Sequence, residues 1–186
     1  MQRFGRIKVE STSFTISEPH ELLEIEPMIY ELADRNQKEI LAKSYNVAPF
    51  NIDTIKLERI FMDKVFAVEY FYQRKQFADA AKHLYDLIIL LKNDKIIKLL
   101  KDLKQLKAVL TLTREEQNCR YGKNIFANLT ISKFSYLNDN LFADRTFLDA
   151  FLSMQKIYIL NQGDNIDPEI CLLPIIKKVV SITKQP

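Results

Sequence analysis

The chain has 186 residues, of which 47% are hydrophobic and 27% charged, and its formal net charge is +3. These values fit one globular domain with a real core, and no apolar run reaches the ~20 residues of a membrane helix. The first residues, MQRFGRIKVE, lack the apolar core of a secretory signal. Cys119 and Cys171 are too few for a disulfide framework or a zinc site. We therefore expect a cytoplasmic protein without a membrane segment.

Strand-like patterns are concentrated in the first part of the chain. Residues Arg6–Ser17 alternate in polarity and are rich in β-branched side chains, which predicts a strand. Val47–Ile52 predicts a second short strand, and its Pro49 favours an edge position because proline cannot donate to a sheet ladder. Leu22–Leu32 is compatible with either a strand or a short helix. A small sheet is therefore expected near the N-terminus.

Two helix starts are predicted in the same part of the chain. Asn36–Tyr45 has the character of a helix, with Asn36 as N-cap and Glu39 three residues later. A longer helix follows the second strand, and either Asp53 or Thr54 is its predicted N-cap.

Residues 56–92 predict two consecutive helices, and each carries a charged group where a core helix has none. Apolar residues recur at helical spacing in both, Leu57, Phe61, Val65 and Val68 in the first and Phe77, Ala81, Leu84, Ile88 and Leu91 in the second. Lys64 falls on the first stripe, and His83 and Asp86 share the other face of the second helix. Because an unpaired buried charge costs several kcal/mol, these groups must be paired, neutralised or in use.

The rest of the chain is helical in pattern. The predicted helices are Lys95–Leu110, Arg114–Arg120, Phe147–Leu160 and Cys171–Ile182. The predicted fold class is therefore α+β: a small mixed β-sheet over residues 1–55, followed by a helical domain over residues 56–186.

Lysines recur at every third residue around the predicted helix Lys95–Leu110. They are Lys92, Lys95, Lys98, Lys101, Lys104 and Lys107. One interpretation is a solvated helix face, and the other is a surface that contacts the phosphates of RNA. A three-residue step drifts around a helix, so the lysines form a spiral band and not one patch, and both interpretations stay open.

Two short blocks carry a resemblance to a known family. Arg59-Ile-Phe-Met-Asp-Lys64 resembles the R-x-F-x-x-K block of the AbiEii/AbiGii toxin family, and Lys82-His83-Leu-Tyr-Asp86-Leu resembles its R/K-H-x-Y-D-L block. These are nucleotidyltransferase-like proteins of bacterial type IV toxin–antitoxin and abortive-infection systems. Lys64 and Asp86 are 22 residues apart in this sequence, a spacing similar to that of the family.

The resemblance implies an activity and roles for particular residues. It implies that a nucleoside monophosphate is transferred from an NTP, with Mg²⁺, to an acceptor such as tRNA. Lys64 would hold the nucleotide phosphates, and Asp86 would act as general base or site organiser. Arg59 and His83 would contribute to nucleotide binding. We expect Lys64 and Asp86 to meet across two antiparallel helices, in a cleft lined by Arg59, His83 and Tyr85.

Each of these residues also has a purely structural interpretation. Lys64 could extend its ammonium to solvent along an apolar stem, and Asp86 could form a structural salt bridge. His83 could be a structural histidine, and Arg59 could pair with a carboxylate. The nearest other histidine, His20, lies in a different segment, so we predict no histidine-based metal site.

The sequence departs from the family at the catalytic metal. Family members open with a glycine-serine motif followed by an Asp-x-Asp pair that binds magnesium. This chain has three glycines, no Gly-Ser dipeptide, and only Asn138-Asp139-Asn140 in place of the acidic pair. We therefore expect it to correspond to the C-terminal part of such a protein and to be inactive alone, with Glu10 the first candidate for an overlooked metal ligand.

The alternative function is a non-catalytic interaction module. A chain of this kind would expose a sheet edge and apolar surface, and that surface would bind a partner such as an antitoxin or a second copy.

Overall fold

The computed structural model describes residues 19–121, 128–137 and 141–168. Its elements are, in chain order, β1 (His20–Ile25), α1 (Met28–Glu31), α2 (Arg35–Tyr45), β2 (Phe50–Ile55), α3 (Leu57–Gln73), α4 (Phe77–Leu90), α5 (Asp94–Leu99), α6 (Leu103–Tyr121) and α7 (Arg145–Tyr158). The predicted α+β class is confirmed. The predicted strand Arg6–Ser17 and the predicted helix Cys171–Ile182 lie outside the described residues. Within those residues, no helix has both the length and the apolar character needed to cross a membrane.

The sheet that the structure describes consists of β1 and β2, which pair antiparallel. His20 lies opposite Ile55, and Ile25 lies opposite Phe50. The second strand therefore begins after Pro49 and not at Val47, because proline has no N–H to give to the ladder. Both alternatives for Leu22–Leu32 occur, since a strand is followed by the short helix α1. The described part of the sheet is antiparallel, and the mixed sheet expected from the sequence is not seen in it.

The region from Pro19 to Lys56 exposes much apolar surface and contains no buried residue. Its exposed large hydrophobic side chains are Leu22, Leu23, Ile25, Met28, Ile29, Leu32, Ile40, Tyr45, Phe50 and Ile52. The buried core begins only at α3, so β1 and β2 contribute no residue to it. The Lys56 N–H donates to the Pro19 carbonyl, and Lys95 pairs with Glu21 at 3.0 Å. The exposed apolar surface expected for an interaction module is thus present among the described residues. The domain boundary at residue 55 stays a prediction.

The predicted N-cap of α2 is wrong. Helix α2 is capped by Asp34, whose side chain accepts from the Gln37 N–H while the Gln37 side chain accepts from the Asp34 N–H, each at 2.9 Å. This capping box lies two residues before the predicted pair of Asn36 and Glu39.

The predicted cap of α3 is wrong for a different reason. Asp53 and Thr54 lie inside β2, where they pair with β1. Lys56 occupies the N-cap position, and its side chain makes no capping bond.

The predicted helix Lys95–Leu110 is divided into α5 and α6. The side chain of Asp102 accepts from the N–H groups of Lys104 and Gln105, each at 3.0 Å, and so starts a new helix. Helix α6 then continues through the segment Arg114–Arg120, which was predicted as a separate helix. The lysine band is therefore spread over α5, a turn and α6.

The core is built on α3 and α4, and α5, α6 and α7 pack around them. The two predicted apolar stripes are buried in this core, apart from their partly buried first residues, Leu57 and Phe77. An aromatic cluster joins α3, α4 and α7, and its rings are those of Tyr72, Phe77, Phe142, Phe147 and Phe151. Burial of these side chains supplies the main stabilisation of the helical part.

A buried ion pair ties α3 to α6. The Arg59 side chain has no exposed area, and its guanidinium pairs with the Glu116 carboxylate, which is 4% exposed. Arg59 also pairs with Asp63, one turn further along α3, at 3.2 Å. The loss of one partner of such a pair leaves a charge in the core, which is costly.

We predict that Arg59→Met lowers the free energy of unfolding by about 3–5 kcal/mol, because Glu116 stays buried without this cation. The double variant Arg59→Met/Glu116→Leu should recover much of that loss, and urea unfolding measures both. Lys43→Met is the matched control, since it removes an exposed ion pair with Glu39 at 3.4 Å and should cost less than about 1 kcal/mol. An Arg59→Met loss as small as that of the control would contradict a structural role.

Candidate functional site

Helices α3 and α4 are antiparallel neighbours, and their contacts place the candidate residues together. Lys64 of α3 contacts Asp86 of α4, while Phe71, two turns later on α3, contacts His83, which precedes Asp86 on α4. The contacts run in opposite directions along the two helices, as antiparallel packing requires. The predicted approach of Lys64 and Asp86 is therefore confirmed, although the roles of the two residues stay predictions.

The Lys64 ammonium is held between a carboxylate and an imidazole. Its Nζ lies 2.5 Å from Oδ2 of Asp86 and 3.3 Å from Nδ1 of His83. Lys64 is 25% exposed and Asp86 45% exposed, so the pair sits at the protein surface and not in the core. An ammonium has three protons and no lone pair, so Nδ1 of His83 must be the acceptor. Two protons are then engaged, and a third is available to a ligand.

His83 is neutral at pH 7 in this environment. Burial lowers the pKa of His83 below its ordinary value of 6.5, and the ammonium of Lys64 lowers it further. The carboxylates of Asp86 and Asp79 oppose this shift, and Lys82 reinforces it. Because Nδ1 accepts from Lys64, the proton of the neutral ring is on Nε2. His83 thus orients the lysine without adding charge.

Tyr85 borders this group but is occupied elsewhere. Its hydroxyl donates to the carbonyl of Asp164 at 3.1 Å. Gln155 of α7 holds the same segment through two hydrogen bonds to the backbone of Ile166, at 3.0 and 2.6 Å. Tyr85 therefore fastens the segment that follows α7 next to α4, which differs from the cleft-lining role expected for it.

Arg59 does not join the group. It is buried between Asp63 and Glu116, and so it cannot reach a ligand bound at Lys64 without breaking a core ion pair. The structural alternative, in which Arg59 pairs with a carboxylate, is what the structure shows. The expected nucleotide contact of Arg59 is corrected accordingly.

The lysines of the predicted RNA band differ from one another. Lys95 is engaged with Glu21, at 3.0 and 3.1 Å from its two carboxylate oxygens. Lys98, Lys101 and Lys104 are exposed to solvent. Lys98 on α5, Lys101 in the turn that follows it and Lys104 on α6 are therefore presented to solvent.

The described residues do not fit a magnesium site. Among residues 19–121, 128–137 and 141–168 there is no group of three His, Cys, Asp or Glu side chains that could hold a metal ion. At the pair itself, Asp86 is bound to an ammonium, which would repel a cation. Magnesium requires several oxygen ligands in octahedral geometry, and this arrangement does not supply them.

One family matches most of the chain. A family model described as "Nucleotidyl transferase AbiEii toxin, Type IV TA system" matches residues 2–156. The chain belongs to the AbiEii family. No curated protein and no solved structure shows a significant match to it. Both sequence blocks lie within the matched range, so the resemblance read from Lys64 and Asp86 is confirmed at the level of the family.

The AbiEii blocks did not reveal the aromatic part of the site. The Phe71 ring stacks on the His83 ring, with centroids 5.2 Å apart and planes 22° apart. Phe71 follows Lys64 by seven residues, which is two helical turns and therefore the same face. That spacing was readable in the sequence, but only the packing of α4 on α3 shows that the ring meets His83.

The lowered pKa of His83 predicts a specific dependence of stability on pH. The unfolded chain takes up the proton first as the pH falls, so the contribution of His83 is fully present above about pH 6.5 and is lost as the pH falls through the folded-state pKa. In His83→Asn the side-chain oxygen still accepts from Lys64 but does not titrate. Urea unfolding from pH 5 to pH 8 should therefore show a smaller loss at low pH for His83→Asn than for the wild type.

His20→Asn is the control for this experiment, since it removes an exposed histidine of β1. When His83→Asn is added to His20→Asn, the pH dependence of the free energy of unfolding should change by the same amount as when it is added to the wild type. Parallel stability curves for the wild type and His83→Asn would refute the electrostatic account of this site.

Proposed function

We propose that this AbiEii-family chain binds a nucleoside triphosphate at the junction of α3 and α4, with Lys64 on the phosphates. The reaction it serves is the transfer of a nucleoside monophosphate to an acceptor hydroxyl, as part of a bacterial type IV toxin–antitoxin system in the cytoplasm. The observation that supports this proposal is the Lys64 side chain, which is 25% exposed and whose ammonium is oriented by Asp86 and His83 with one proton available.

Lys64, His83 and Asp86 each have a separate role in this proposal. Lys64 offers a positive charge to the phosphates and stabilises charge that builds up on them during transfer. His83 is neutral, so it fixes the direction of the ammonium without competing with it for phosphate. Asp86 is 45% exposed, and its carboxylate can accept the proton of the attacking hydroxyl. The oxygen of that hydroxyl attacks the α-phosphorus, and pyrophosphate leaves.

The acceptor in this proposal is an RNA end, for example that of a tRNA. Lys98, Lys101 and Lys104 would contact its phosphates, because they are exposed on the helices and turn that follow α4 in the chain. Contacts of this kind are electrostatic and independent of sequence, so RNA affinity should fall steeply with salt.

We propose in addition that residues 1–186 bind nucleotide without completing the transfer. The magnesium-binding motif of the family has no counterpart in this sequence, and transfer depends on positioning and charge stabilisation that an ammonium alone does not supply.

The binding step is tested with Lys64→Ala. This change should weaken ATP binding, measured by calorimetry, by roughly 10- to 150-fold, because hydrogen bonds to charged groups contribute about 1.5–3 kcal/mol. Lys43→Ala is the matched control: it also removes an ion-paired lysine, but on α2, and should leave ATP affinity unchanged. Unchanged affinity in Lys64→Ala would reject the proposed phosphate site.

The transfer step is tested by incubating the wild type, Lys64→Ala and Asp86→Ala with labelled NTPs, magnesium and tRNA. We expect no labelled product from residues 1–186. Labelling that depends on magnesium and is lost in Lys64→Ala and Asp86→Ala would overturn this expectation, and Glu10→Gln would then be the first test of the metal site.

A second candidate function, the interaction module, is supported by the apolar surface of β1 and β2. Leu23, Ile25, Phe50 and Ile52 lie on one face of the two-stranded sheet and are each at least 39% exposed. Paired faces of this kind could join two copies of the chain by two-fold symmetry.

If this surface joins two copies, the wild type should sediment as a dimer at micromolar concentration, and Leu23→Lys/Ile52→Lys should sediment as a monomer. Leu152→Lys is the control, since it places the same charge on an exposed leucine of α7. A monomeric wild type would remove the support for this candidate as a homodimer.

A further inference from the structure

We propose that the nucleobase of the bound nucleotide stacks on the Phe71 ring, so that the site accepts purine and pyrimidine nucleotides alike. This inference rests on the proposed phosphate site at Lys64 and deepens it. It assigns a ligand contact to a residue that neither of the two family-like blocks contains.

The position of Phe71 on α3 suits the part of a nucleotide that lies away from the phosphates. Seven residues separate it from Lys64, which places both on one face of the helix about 10.5 Å apart along the axis. A nucleoside triphosphate that places its outer phosphates at Lys64 can therefore extend along α3 and bring its base to the ring.

The residue between them leaves space for this path. Ala67 lies one turn from Lys64 and one turn from Phe71, on the same face, and it is partly exposed. Its side chain is a single methyl group, so the surface between the ammonium and the ring is low. A ribose can lie over Ala67 without displacing any long side chain of α3.

The ring is held in place before a ligand arrives. One contact is the His83 ring, stacked at a centroid distance of 5.2 Å, and the other is the edge of Tyr70 at 5.2 Å. Tyr70 in turn lies under the guanidinium of Arg74, 3.6 Å from the ring centroid. Phe71 is partly exposed, so an ordered aromatic surface remains available, and its use costs little side-chain entropy.

His83 connects the two halves of the site. Its ring stacks on Phe71, and its Nδ1 accepts from Lys64. The base position and the phosphate position are thus fixed by one side chain. Stacking on an aromatic ring tolerates every base because each has a π-face, which is the reason for expecting little discrimination among the four nucleotides.

The test compares ATP, GTP, CTP and UTP with inorganic tripolyphosphate, by calorimetry at constant ionic strength. In the wild type each NTP should bind more tightly than tripolyphosphate, by about 5- to 150-fold if stacking supplies the difference. Phe71→Leu should remove most of this advantage and leave tripolyphosphate affinity unchanged. Tyr45→Leu is the matched control, since Tyr45 is an aromatic residue of α2 that is 70% exposed, and it should have no effect.

A second variant gives a direct signal. The chain contains no tryptophan, so Phe71→Trp introduces a single fluorescent reporter at the proposed base position. Its emission should be quenched by all four NTPs and not by tripolyphosphate, whereas the emission of Tyr45→Trp should respond to neither. Absence of NTP quenching in a Phe71→Trp protein that still binds ATP would overturn the inference.

The outcomes separate this inference from the proposed function. If Phe71→Leu weakens tripolyphosphate and NTP binding equally, the ring only supports His83 and Lys64, and base stacking is rejected while the phosphate site stands. If NTPs bind the wild type no more tightly than tripolyphosphate, base stacking is likewise rejected. If Lys64→Ala binds ATP as the wild type does, the proposed phosphate site is itself wrong.

Discussion

The packing of α4 against α3 is the constraint on which the candidate site depends. The apolar stripes of the two helices are buried against each other, and this fixes what lies at the edge of their interface. Lys64, His83 and Asp86 stand at that edge, where an ammonium can be bound by a carboxylate and an imidazole and still reach solvent. A small shift of one helix along the other would separate Lys64 from both partners, because side-chain hydrogen bonds tolerate only a few tenths of an ångström.

Two cationic residues of α3 pair with carboxylates of other helices, and the two pairs differ in burial. Arg59 has no exposed area and pairs with Glu116 in the core, where its charge is too costly to release to a ligand. Lys64, little more than a turn later, is 25% exposed and pairs with a half-exposed carboxylate, so its ammonium reaches solvent while it stays paired. The same family block, Arg59 to Lys64, therefore contains one cation that is buried in the core and one that is partly exposed at the surface.

The region from Pro19 to Lys56 and the helical part that follows it differ in the burial of their apolar side chains. The helical part buries aromatic and aliphatic residues in one continuous core. Between Pro19 and Lys56 the same kinds of residue are exposed on two strands and two helices. Exposed apolar side chains in this number are the observation that supports the interaction candidate. The nucleotide proposal and the interaction candidate thus draw on separate parts of the molecule, and one does not exclude the other.

The sequence by itself determined the family, the α+β class and the approach of Lys64 to Asp86, because two local patterns, helical periodicity and the linked blocks, carry that information. It did not determine the caps at Asp34 and Asp102, since several polar residues near each helix start could accept the same backbone N–H groups. The burial of Arg59 and the stacking of Phe71 on His83 were decided by tertiary structure alone. Each depends on a residue from another helix, 57 positions away for Glu116 and 12 for His83. The apolar periodicity of a helix shows which face is buried, but it does not show which other helix packs on that face.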